Sequence, residues 1–159
     1  MRPGLQVAAA LGAAATTTLI VFLDWVPTPL NRNILQTPPR TRLPSTVIHA
    51  ATGAAVVTCH LLGRRRLALA GALWYSVVSA SAALNWWVPY ALGIHSGEVD
   101  PTSFQREYAG NVSVLPRIGD HLVVPDLQHL ILHTSIGTSC ALSWLWFARA
   151  TTTPSRRRP

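Results

Sequence analysis

The sequence contains no lysine, one methionine, two cysteines and only six acidic residues. Each scarcity removes a class of function. Cys59 and Cys140 lie in separate apolar runs with no C-x-x-C spacing, which excludes a thiol-relay oxidoreductase. Both read as small buried hydrophobes. No phosphate loop, dinucleotide fingerprint or serine-nucleophile elbow is present, so the expected chemistry needs no nucleotide cofactor. Charged residues make up 12% of the chain, against about 25% in a soluble domain. Apolar residues fill the gap at 49%, with a mean hydropathy of +0.28.

Thirteen arginines give a net charge of +7, which raises the question of nucleic acid. Their placement argues against it. Arg2, Arg64, Arg65, Arg66, Arg149, Arg156, Arg157 and Arg158 flank apolar runs, as membrane topology signals do. No basic stripe with interleaved aromatics occurs, so no nucleic-acid partner is expected. Arginine standing everywhere in place of lysine reads as codon bias of a GC-rich, bacterial-type genome.

A membrane-spanning helix needs about 20 mostly apolar residues. Segments 5–26, 46–62, 67–92 and 127–148 approach that requirement. The predicted fold is an all-α integral membrane protein, a four-transmembrane-helix bundle within residues 1–150. A long, partly helical extracytoplasmic loop, 93–126, joins helices 3 and 4, and a basic cytoplasmic tail occupies 151–159. The second segment is short and polar, with His49, Thr52, Thr58 and His60, but Pro44-Ser45 reads as a start and Gly63 to Arg66 as a stop. The first segment reads as a retained helix, because its strongest apolar stretch, Leu19 to Leu23, comes last and runs into Asp24-Trp25. Runs of Ala, Gly, Ser and Thr predict close helix packing and suit a homo-oligomer.

Charge predicts the orientation. In a four-span arrangement eight arginines and no acid share one side. The other holds Arg32, Arg40, Arg42, Arg106 and Arg117 with all six acids, Asp24, Glu98, Asp100, Glu107, Asp120 and Asp126. The positive-inside rule then puts both termini of a multi-pass cell-membrane protein in the cytoplasm. Trp25, Trp86 and Trp87 are expected at the outer interface, and Trp144 and Trp146 at the inner one.

This frame brings Asp24, His49, Asn85, His129 and His133 to similar depth near the outer face. Ionisable groups at membrane depth are costly and are functional candidates by default. His129 and His133 share one helical face, and Asp126 joins it at i−3; Pro125-Asp126-Leu127 equally reads as a helix start with an aspartate cap. Loop 93–126 is long enough to be a lid, with a short helix expected over Thr102 to Ala109 and Phe104, Tyr108 and Glu107 on it. Pro89 is expected to kink or end the third helix. His60 is placed at the inner end as a snorkelling residue, His95 in the loop, and His121 beside Asp120 within reach of the site if the lid folds inward.

The residues suit a cofactor-independent acid–base enzyme, of isomerase, cyclase or hydratase/epoxide-opening type, acting on a lipophilic small molecule drawn from the membrane lipid phase. Asp24, His49, His129, His133, Glu107 and Asp120 are the expected acid–base groups. A carboxylate from Asp24, Glu107 or Asp120 would fix a histidine tautomer. Asn85, Trp86, Tyr90, Tyr108, Asn111 and Gln128 are the expected substrate-binding groups. An alternative is a divalent metal such as zinc on His49, His129 and His133, although H-x-x-x-H alone is weak and H-E-x-x-H is absent. A non-catalytic transporter or assembly subunit is the third reading.

Overall fold

Two adjacent prolines decide where the second helix begins. Pro39 sits at its first turn, where a missing N–H is harmless, and the Thr41 N–H closes the turn on the Pro38 carbonyl at 3.0 Å. The helix therefore spans Pro39–Leu61 and carries Pro44 within it. That corrects the expected start at residue 46 and supplies the length the apolar pattern lacked. The computed structural model describes residues 3–35, 37–95 and 101–152. Glu98, Asp100, Arg2 and Arg156 to Arg158, which enter the charge argument, lie outside the described residues.

Four long helices pack side by side: α1 (Pro3–Trp25), α2 (Pro39–Leu61), α3 (Arg65–Leu92) and α5 (Leu127–Thr152). A short helix, α4 (Pro101–Tyr108), lies between α3 and α5, and a 3-10 turn, Arg32–Leu35, precedes α2. No strand occurs among the described residues. Helix α1 packs on α2 and α5, and α3 packs on α5 and α2. Gly4–Trp25, Arg65–Leu92 and Leu127–Ala150 are long and apolar enough to cross a membrane. Large apolar side chains such as Leu11, Val77 and Leu145 point outward along them, as lipid-facing positions of a helical membrane protein would.

Small residues set the helix spacing. A Cβ on Gly53 of α2 would stand 2.0 Å from Thr17 Oγ1 of α1, so only glycine permits this approach. Ala13, Val56, Tyr75 and Ile136 form one core cluster, and Ala9, Ala68 and Trp146 a second toward the other end. Between α1 and α5 runs a polar seam, with Thr16 Oγ1 2.6 Å from Ser135 Oγ and 2.8 Å from Ser139 Oγ. Such bonds substitute for water that an apolar interior does not supply.

Helix α3 does not end at Pro89. It continues to Leu92 and stops at Gly93, whose φ of +68° favours glycine. The perturbation expected at the proline appears one turn earlier, as a π-helical stretch over Ala83–Trp87 in which the Val88 N–H bonds the Ala83 carbonyl. Pro89 cannot donate to Asn85 and its ring crowds that carbonyl; widening the preceding turn relieves both.

His60 and Trp146 differ from expectation. His60 is fully buried, its Nε2 3.0 Å from Ser143 Oγ and its ring edge-on to Trp146 at 5.0 Å. It is a core residue and does not snorkel, and Trp146 serves that core instead of an interface belt. Trp25 and Trp144 remain at the surface.

Candidate active site

Inward-facing polar groups at the ends of α1, α2, α3 and α5, closed by α4, enclose a cavity of about 420 Å³. Asp24, His49, Asn85, Trp86, Glu107, Tyr108, Gln128, His129 and His133 all line it, so most of the residues expected at the site do converge. Its size is that of a small-molecule pocket.

The centre is the first turn of α5. Asp126 Oδ1 accepts the His129 backbone N–H at 2.9 Å, as a helix cap does, and also lies 2.7 Å from His129 Nδ1. A carboxylate has no proton to give, so Nδ1–H donates. In the neutral ring Nε2 is then left as the basic nitrogen. Asp126 Oδ2 accepts from Asn111 Nδ2 at 2.7 Å, and Asn111 in turn bonds Asn33 of the 3-10 turn, Nδ2 to Oδ1 at 3.2 Å. Burial pushes the Asp126 carboxyl up, but the hydrogen bonds from His129 and Asn111 outweigh it and hold the group below the usual carboxylate range.

His133, one turn on, is fixed in the opposite sense. The Trp87 indole N–H donates to His133 Nδ1 at 3.1 Å. Indole is a donor only, so Nδ1 is unprotonated and Nε2 carries the proton. The two rings stand 5.7 Å apart. Neither Nε2 has a hydrogen-bond partner among the described residues. One cavity therefore offers a proton acceptor and a proton donor side by side.

Aromatic packing holds His129 in place. Trp86 stacks on its ring at a centroid distance of 3.4 Å, and Tyr108 meets it edge-on at 5.2 Å. Phe104 and Tyr108 of α4 pack on Trp86 at 4.8 and 5.2 Å, which seats α4 over the cavity. Burial, with the charges of Glu107 and Asp126 adding to it, raises the Tyr108 phenol well above its usual value, so it stays protonated and able to donate. The His121 ring is 2.7 Å, Nδ1 to O, from the Tyr90 carbonyl and sits beneath Gly93. It tethers the loop to α3 and does not line the cavity.

Three expected site residues lie elsewhere. Asp120 is exposed in a turn beside Gly119 and lines no part of the cavity. Tyr90 turns away and donates its hydroxyl to the Pro116 carbonyl at 3.0 Å. Asn111 bonds Asp126 and does not line the cavity. The carboxylate on the histidine is Asp126, not Asp24, Glu107 or Asp120. Asp24 Oδ2 accepts the Thr46 hydroxyl at 2.5 Å, and Glu107 is exposed at the rim. Asn33 was invisible in the sequence, because nothing marked its short turn as part of the site. Asp126 had a signal in its Asp-x-x-His spacing, hidden by the cap reading.

His49, His129 and His133 share the cavity. Among the described residues no three His, Cys, Asp or Glu side chains converge as a ligand set. His133 would have to give up the Trp87 bond or its Nε2 proton to bind a metal. No protein-family model matches the chain, and no curated protein or solved structure matches it.

Proposed function

We propose that this protein is a membrane-embedded acid–base enzyme that isomerises, cyclises or hydrates a lipophilic small molecule without a nucleotide cofactor. The observation that carries the reading is the Asp126–His129 pair beside His133, two rings that line one cavity 5.7 Å apart with their Nδ1 atoms held in opposite senses. His129 takes a proton from the substrate, or from water in a hydration. Asp126 stabilises the resulting imidazolium and keeps the ring oriented. The His133 N–H donates a hydrogen bond to the oxygen on which negative charge develops, a role a neutral imidazole can fill. His129 then returns the proton at a second atom, so an isomerisation leaves the composition unchanged.

In this reading α2 is a fourth crossing helix. Its 23 residues rise about 34 Å, against a hydrocarbon thickness of about 30 Å. Its low hydropathy comes from side chains that turn inward, His49, Thr46 and His60, while Val47, Ile48 and Leu61 face out. The exposed Thr52 and Thr58 hydroxyls bond carbonyls of their own helix at 2.6 and 2.9 Å. The arginines around the α2–α3 turn support a cytoplasmic position for both termini, and in this reading the cavity opens at the outer leaflet under α4.

The test incubates purified protein with a membrane lipid extract and follows it by mass spectrometry. The expected result is consumption of one compound and appearance of an isomer, or of a product one water heavier, with wild type but not with His129→Asn. Identical extracts from wild type and from correctly folded His129→Asn would refute the reading.

A further inference from the structure

A second cavity, also about 420 Å³, adjoins the first and shares Ile34, Thr37 and Arg42 with it. Apart from Thr37 and Arg42 its lining is apolar, with Trp25, Leu35 and three prolines. Arg42 forms the partition. Its guanidinium lies 5.0 Å over the Trp25 ring and donates from Nη1 to the Asp24 carbonyl. Its Nε is buried with no partner among the described residues, and no described carboxylate lies within 4.0 Å of it. A cation in this state is short of an anion, since a buried donor left unpaired costs stability and guanidinium matches carboxylate and phosphate in shape. Thr37 and Thr41 bring hydroxyls to the same wall.

We infer that the substrate is a single-chain amphiphile with a carboxylate or phosphate group, which Arg42 binds where the two cavities meet. The inference rests on the cavity being the reaction site proposed above. The chain of the amphiphile occupies the apolar cleft and its uncharged reactive part faces His129. Glu107, which lines the reaction cavity and not the apolar cleft, repels an acidic group from that end, so the ligand enters in one orientation.

The test measures binding of dodecanoate, dodecyl phosphate and dodecanol to the full chain in phosphatidylcholine nanodiscs. Wild type is expected to bind both acids roughly tenfold more tightly than the alcohol, the worth of one charge-assisted hydrogen-bonded pair. Arg42→Gln should erase that preference, Arg42→Lys should keep part of it, and His129→Asn should keep all of it. Equal binding of acid and alcohol by wild type overturns the inference, as does an Arg42→Gln protein that retains the preference. If Arg42→Gln does not fold, the wild-type comparison alone decides. Phosphatidic acid in the nanodisc should not displace dodecyl phosphate; displacement would overturn the single-chain assignment. An Arg42-dependent preference with unchanged turnover in His129→Asn would leave the anion site standing without the reaction. Lost turnover in His129→Asn with equal probe affinities would leave the reaction without the anion site.

Discussion

Asp126 Oδ1 lies within hydrogen-bond distance of two nitrogens of His129, the backbone N at 2.9 Å and Nδ1 at 2.7 Å. One carboxylate oxygen thus caps α5 and selects the tautomer of the ring three residues later. Structural and chemical roles coincide in a single atom, and the two can be separated by substitution.

Asp126→Asn should keep the cap, because the amide oxygen still accepts from the His129 N–H. It should fail to stabilise a charged imidazole. The expected outcome is a folded protein with turnover reduced roughly a thousandfold, within the range for loss of tautomer control and general-base function. Circular dichroism checks the fold and product formation checks the rate.

Asp126 also predicts a direction for acid stability. Its carboxyl is held below its ordinary value of 3.8 in the folded protein, so the contribution is fully present above that value. It is lost as pH falls through the lower folded value. Melting temperature in detergent should drop below pH 4 more steeply for wild type than for Asp126→Asn. Parallel curves for the two proteins would contradict the assignment.

Trp87→Phe removes the only hydrogen bond found to His133 Nδ1 among the described residues. The ring should then populate both tautomers, visible as a shift in its 15N resonances. Turnover should fall by about tenfold, the worth of one oriented hydrogen bond. An unchanged spectrum would show that the indole does not set the tautomer.

Gly53→Ala should destabilise the protein by about 1–3 kcal/mol, the usual cost of overpacking a tight contact, because its Cβ would meet Thr17 Oγ1 at 2.0 Å. Gly137→Ala, with nothing within 4 Å of its Cβ, should be neutral or slightly stabilising, since alanine is the better helix former. Thermal melts of both variants in detergent read the difference.

Much of the site was legible because polar groups on apolar helices have only one sensible direction to face. Asp24, His49, Asn85, His129 and His133 are expected to converge on that ground, and they line one cavity. Asp126 was seen but valued as a cap, because an aspartate before a helix looks the same whether or not it also holds a ring nitrogen. His60 was misplaced because its partner, Ser143, lies 83 residues away. The start of α2 differs from the expectation because apolar patterning fades over Pro38 to Leu43, where the Pro38-Pro39 pair carries the signal. Asp120 and Tyr90 were near the site in sequence but belong to turns whose geometry no periodicity reveals.

The π-helical stretch at Ala83–Trp87 makes the candidate site depend on residue count as well as residue type. A regular helix turns consecutive side chains by about 100°, whereas here neighbours Trp86 and Trp87 serve His129 and His133 respectively. Removing Leu84, an exposed residue, would delete no named contact. It would nevertheless wind the wide turn back into ordinary helix and rotate the indoles relative to everything before them. A one-residue deletion there would disarm the site while every side chain of the Asp126–His129–His133 group stayed in the protein.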